Sequence, residues 1–169
     1  KMPTYTATLA AASGVTSAWV SYDQAGTFTI DATDPGMSLA AGTSAPFSVM
    51  AGAPARLLVL APGEVHDPGS PTGKSGTPSL QLVGYPFTFQ VLMTDGWFNL
   101  AANATDVTAE FSSLADASAV FTPSSQLMAA GVSVTAAQAA FSYPGVQDLR
   151  AEDLSLGLSG DYSSVTVDA

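Results

Sequence analysis

The sequence predicts an all-β sandwich, one complete unit preceded by part of another, and three observations predict it. Apolar and polar residues alternate with period two along much of the chain, and no helical period persists. Turn signals interrupt the alternation about every ten residues, the spacing of short strands in a sandwich. The end of the chain also repeats its beginning.

The repeat aligns residues 9–51 with residues 127–169 at an offset of about 118, with small slips. Leu9 meets Leu127, Gly26 meets Gly145, and residues 29–34 meet residues 148–153. Phe47-Ser48-Val49 meets Val165-Thr166-Val167. A period that long belongs to an array of whole domains, not to a solenoid or a propeller. Residues 52–169 therefore read as a complete unit and residues 1–51 as the C-terminal half of another. The join at Met50-Ala51-Gly52-Ala53-Pro54 has hardly any linker, which favours stacked domains over beads on a string.

Strands are expected in chain order near 4–10, 17–22, 28–32, 45–50, 57–60, 79–83, 87–91, 107–111, 118–122, 132–141, 146–151 and 165–167. Phe28-Thr29-Ile30-Asp31-Ala32, Phe87-Thr88-Phe89-Gln90-Val91, Val107-Thr108-Ala109-Glu110-Phe111 and Val165-Thr166-Val167 each put one face on a core and the other in water. Leu57-Leu58-Val59-Leu60 is apolar on both faces, as suits a strand covered on both sides or lying at a domain junction. Ala25-Gly26, Asp34-Pro35-Gly36, Asp95-Gly96, Pro144-Gly145 and Gly160-Asp161 supply turns. Residues 62–78 hold four of the 11 prolines and no hydrophobic period, and read as a long loop between the first two strands of the complete unit.

Composition narrows the function. Four Lys+Arg stand against 14 Asp+Glu, a net charge of -10, so phosphate neutralisation has no residues to work with and nucleic acid is excluded as a partner. The same charge disfavours docking on an anionic membrane, and no apolar run approaches the roughly 18 residues of a membrane span. Without cysteine there is neither a disulfide nor a Cys-based zinc site. Lys1-Met2-Pro3-Thr4 runs straight into strand-like sequence without a signal peptide, so the chain reads as a mature or excised piece of a larger exported precursor.

Seven to nine short strands with no helix point to an immunoglobulin-like β-sandwich, and lacking the Cys…Trp…Cys pattern its core must hold by packing alone. The stretch from Ala53 to Glu64, the loop 68–78, the strand start Gly84-Tyr85-Pro86-Phe87 and Thr94-Asp95-Gly96-Trp97-Phe98-Asn99 resemble bacterial immunoglobulin-like repeats of the invasin and adhesin type, found in large surface and secreted proteins. In such arrays a strand ending in an Asp-x-x-x-Asn turn is followed by a Val-Thr-rich strand, the place that Val107–Phe111 takes here. Residues 25–34 resemble the penultimate strand of these repeats. The resemblance covers nearly the whole chain, and its motifs are structural.

Chemistry-bearing motifs are few. Gly69-Ser70-Pro71-Thr72-Gly73-Lys74-Ser75 falls one residue short of a phosphate-binding P-loop, because the required first glycine is Pro68 and no helix can open at Ser75-Gly76-Thr77-Pro78. His66, the one histidine, has no nucleophile marked out beside it and reads as an exposed loop residue. No carboxylate pair stands out for acid–base work. Asp31, Asp34, Asp95, Asp106, Glu152 and Asp153 gather at strand ends and turns. Calcium at a junction would need about six to eight oxygens, mostly from such carboxylates and carbonyls, yet no D-x-D-x-D run is present and turn aspartates usually cap backbone N–H groups. Trp97 and Phe98 are the candidate ligand contacts, against the alternative that one ring plugs the end of the sandwich. Asn103-Ala104-Thr105 is a formal glycosylation sequon.

These readings converge on a non-enzymatic structural module of a bacterial extracellular surface protein or filament, with no catalytic residue, cofactor or membrane insertion. It assembles with copies of itself or neighbouring immunoglobulin-like domains. Left alone, the half-unit exposes apolar faces and unpaired edges that invite strand complementation between subunits. The rival is an adhesin or glycan-binding module that meets a glycan or a host surface through Trp97, Phe98 and the 62–78 loop.

Overall fold

The computed structural model describes residues 17–36, 39–101 and 105–169. The expected strand at 4–10 and the sequon residues Asn103 and Ala104 lie outside the described residues. The chain divides into two compact units, Lys1–Met50 and Ala51–Ala169. Every regular element among the described residues is a strand.

In the first unit, β1 (Gly26–Phe28) pairs antiparallel with β4 (Phe47–Val49), and β2 (Asp31–Ala32) with β3 (Gly42–Thr43). The two ladders are one hairpin broken at Pro46. Phe28 faces Phe47 and Asp31 faces Thr43, so two residues on one side oppose three on the other. Proline brings no N–H to the ladder, and a bulge is where a strand tolerates it. Ser44 mends the gap, its hydroxyl accepting from Ile30 N–H at 2.9 Å and its own N–H donating to Ile30 O at 2.9 Å. Tyr22 packs on Phe28 and Phe47 at centroid distances of 4.7 and 5.6 Å. The strand expected at 17–22 is instead irregular, and its Trp19 is exposed.

The second unit carries β5 (Arg56–Leu60), β6 (Glu64–His66), β7 (Lys74–Gly76), β8 (Gln81–Leu82), β9 (Phe87–Thr94) and β10 (Val107–Ser112). It continues with β11 (Val120–Thr122), β12 (Ser125–Met128), β13 (Val134–Ala140), β14 (Gly145–Asp153) and β15 (Asp161–Asp168). One sheet runs β12-β10-β14-β15-β8 and the other β11-β13-β9-β5, with β6 and β7 forming a separate hairpin. Alternation makes the sandwich. Phe89, Val91 and Met93 of β9 point inward with Val107, Ala109 and Phe111 of β10, Leu149 and Ala151 of β14, and Val165 and Val167 of β15, and all of them are buried in one cluster. Phe89 lies edge-on to Phe111 at 5.1 Å between ring centroids.

The four apolar residues of β5 are covered on both sides. Leu57 and Val59 join the main core, while Leu58 and Leu60 form a second cluster with Leu92 and Phe98. The cover over the second cluster corrects the reading of residues 62–78 as a loop. They hold the β6–β7 hairpin, in register from Glu64 opposite Gly76 to His66 opposite Lys74. The strand β12 was also not anticipated.

Candidate functional site

The loop after β9 separates Trp97 from Phe98, and Asp95 is the reason. Its carboxylate accepts hydrogen bonds from the N–H groups of Gly52 (2.8 Å), Trp97 (2.8 Å) and Asn99 (2.9 Å) and from the Asn99 side-chain amide (3.0 Å). Burial works to raise its pKa. The bonds from Gly52, from the Asn99 side chain and from the Asn99 and Trp97 backbones outweigh that and hold the group below its ordinary value. Chain wrapped this tightly around one carboxylate carries Phe98 into left-handed backbone, φ 63°. The Phe98 ring thereby lies buried with Leu58, Leu60 and Leu92, while Trp97 stays 58% exposed. Gly73 makes room for that ring, since a Cβ there would sit 2.3 Å from it.

Lys74 belongs to no phosphate cradle, because the stretch leading to it enters a strand. Its side chain is 16% exposed, and its Nζ lies 3.0 Å from Asp161 Oδ2, 2.8 Å from Ser163 Oγ, and 3.1 Å from both Val59 O and Tyr162 O. Glu64 Oε1 stands 3.9 Å away, and Glu64 Oε2 accepts from Ser163 Oγ at 2.5 Å and from Ala61 N at 2.9 Å. One amine thus ties the β6–β7 hairpin to β5 and β15. His66 is half-buried rather than exposed, its Nε2 2.6 Å from Phe98 O.

Two open cavities of about 340 Å³ each flank the Gly160–Tyr162 segment. Arg56, Thr72, Lys74, Phe98 and Ser159 line one, and Arg150, Glu152, Asp153 and Leu158 the other. Tyr162, 52% exposed, lines both. The Arg56 guanidinium carbon lies 4.5 Å from the Phe98 ring centroid, and that of Arg150 lies 5.1 Å from Tyr162. Sequence reading missed Arg56 and Tyr162 and weighed Lys74 only as a phosphate ligand. The signal that marks them is scarcity, since three of only four Lys+Arg meet here.

The strand-end carboxylates do not converge. Among the described residues no three His, Cys, Asp or Glu side chains are grouped as a cation site. Asp31 accepts from the Thr43 hydroxyl, and Asp106 from Ala130 N–H. Asp34 accepts from Gly36 N–H at 2.9 Å and Leu39 N–H at 3.1 Å. Asp153 accepts from Ser155 N–H at 2.8 Å and Leu158 N–H at 2.9 Å, the same two spacings along the chain, and also from Leu156 N–H.

That shared cap extends to a shared ladder. Gly26 faces Val49 in the first unit, and Gly145 faces Val167 in the second, which are the pairs the sequence repeat equates. The β14–β15 ladder runs unbroken to Ala151 opposite Asp161, so the slip between residues 34 and 47 of the alignment is the bulge at Pro46. Burial differs between the two. Leu149, Ala151, Val165 and Val167 are buried, whereas their counterparts Ile30 and Ala32 are exposed and Phe47 and Val49 only half-buried.

No protein-family model matches the chain. No curated protein matches it either. Among solved structures it is similar to domains 4 and 5 of the S-layer protein SbsC, with 14% sequence identity and a TM-score of 0.42 over 76% of this chain and 63% of that one. A structure of SbsC domains 4–9 is 16% identical with a TM-score of 0.42 over 86% of this chain. A structure of domains 1–6 is 15% identical with a TM-score of 0.41 over 85%. The chain spans 63%, 18% and 16% of the lengths of these three.

Proposed function

We propose that the chain is a non-enzymatic structural module of a bacterial extracellular surface protein or filament, built from immunoglobulin-like domains that add length by stacking. The observation that carries this reading is the repeated hairpin, with the same pairs and the same aspartate cap in both units. The strand order of the second unit supports the immunoglobulin-like part. The sheet β5-β9-β13-β11 follows the A-B-E-D pattern, and β10-β14-β15 takes the places of C, F and G.

The first unit then corresponds to the back half of such a domain, with a face half-exposed where its counterpart in the second unit is buried. The covering strands come from a neighbouring immunoglobulin-like domain or another copy of the chain, by strand addition. Electron microscopy of the natively isolated protein, with its intact mass, tests the reading. Fibres, or a mass far above that of 169 residues, support it. A folded monomer of 169 residues whose first 50 resist protease at high concentration overturns it.

The glycan-binding rival keeps one supporting observation, the exposure of Trp97. Phe98 is buried with Leu58, Leu60 and Leu92, and it meets solvent space only as part of the lining of the cavity beside β5. Loss of glycan retention in Trp97→Ala at unchanged stability would favour that rival.

A further inference from the structure

We infer that the cavity beside β5 is a binding site for a carboxylated saccharide, with Arg56 as the anion-recognising residue. The starting point is an imbalance. Acidic residues outnumber basic ones 14 to four, yet among the described residues no carboxylate lies within ion-pair distance of Arg56. Its Nε is buried and has no hydrogen-bond partner. A buried donor without an acceptor costs about 1–3 kcal/mol, and more when charged. In so acidic a chain, one nearby aspartate would have removed that cost. The guanidinium stacks on Phe98 at 4.5 Å, which fixes its plane, and Arg56 lines the cavity.

The remaining lining decides the ligand class. Thr72, Ser159 and Asp161 bring hydroxyl and carboxylate oxygens to the same wall, and Tyr162 brings a half-exposed aromatic ring. Asp161 does not set up a repelling charge, because Lys74 lies 3.0 Å from it and Val59 N–H donates to it at 3.1 Å. One forked cation, several oxygens that bind hydroxyl groups, and one ring face are what a hydroxylated ring bearing a carboxylate requires. The volume, about 340 Å³, falls within the range of small-ligand pockets. Every lining residue belongs to the second unit, so the site is independent of how the first unit is completed.

Calorimetric titration of the full chain at low salt tests the inference with three probes: digalacturonate, its neutral digalactose counterpart, and tetraglutamate. Digalacturonate is expected to bind at least tenfold more tightly than digalactose and to weaken as salt rises. Arg56→Gln is expected to lose at least tenfold in affinity while its melting temperature holds. If that variant melts early, Arg56→Lys takes its place and is expected to weaken binding, because lysine keeps the charge but loses the fork. No binding of digalacturonate at millimolar concentration overturns the inference, as does equal binding of digalactose. Unchanged affinity in the folded Arg56 variant does the same. Tetraglutamate binding as tightly as digalacturonate would make this a contact for acidic protein surfaces and also overturn it.

Discussion

At Asp153, burial works against the charged carboxyl, and bonds from Leu158 N–H, the Ser155 side chain and backbone, and Leu156 N–H outweigh it, lowering the pKa from 3.8 to about 2. A carboxyl with a lowered folded-state pKa stabilises the fold fully above its unfolded pKa and loses that contribution as the pH falls through the folded value. The loss therefore runs from about pH 5 down to pH 2. Asp153→Asn is expected to cost about 1–2 kcal/mol at neutral pH and to flatten the fall of melting temperature with acid, followed by circular dichroism. Part of the slope will survive, because Asp95 and Asp148 are also lowered: at Asp148 burial again raises the pKa, and Arg150, Ala115, Leu114 and Ser113 bring it down. Melting curves parallel to those of the parent chain would show that the cap is not what acid removes. Such caps were legible as a class, since turn aspartates read as backbone acceptors. That Asp34 and Asp153 catch donors at matching positions needed the folded loops. Arg56 was not legible at all, because an arginine is notable only for the carboxylate it lacks.

At the scale of elements, the β6–β7 hairpin hangs on Lys74. Lys74→Met leaves Glu64 and Asp161 without their cation, and is expected to cost roughly 2–4 kcal/mol, toward the lower end of breaking a buried ion pair because the side chain keeps some exposure. Limited proteolysis should then cut within residues 62–78 while the two main sheets stay intact, and an uncut hairpin would assign its stability to Leu58, Leu60 and Phe98 instead. The same interaction explains where sequence reading failed. Strands such as Phe87–Thr94 and Val107–Ser112 announce themselves because alternate residues meet the core. Glu64-Val65-His66 turns its one apolar residue outward and Lys74-Ser75-Gly76 has none, and they pair because one ammonium and an apolar outer face of β5 hold them. The irregular path of residues 17–22 is the converse case, apolar sequence with its Trp19 left exposed.

At the scale of the whole molecule, the equivalence of the two hairpins makes a further prediction. A chain running through residues 52–126 and then residues 9–51 joins the front half of the second unit to the back half of the first. It is expected to fold as a monomer with one cooperative melting transition, and an unfolded or non-cooperative product would separate the sequence repeat from structural equivalence. The second unit carries a different consequence in its strand directions. β15 runs parallel to β8, with Val167 beside Gln81 and Asp168 beside Leu82. Just before β15, Ser159 lies parallel to Arg56 and exchanges bonds with Leu57 N–H and Ala55 O at 2.9 and 3.1 Å. The polypeptide thus enters this unit beside the start of β15 and leaves from its far end. Tension drawn through the two ends would slide these parallel partners lengthwise, so that their bonds strain together instead of peeling one after another, and a unit wired this way resists traction better than heat-derived stability alone would suggest.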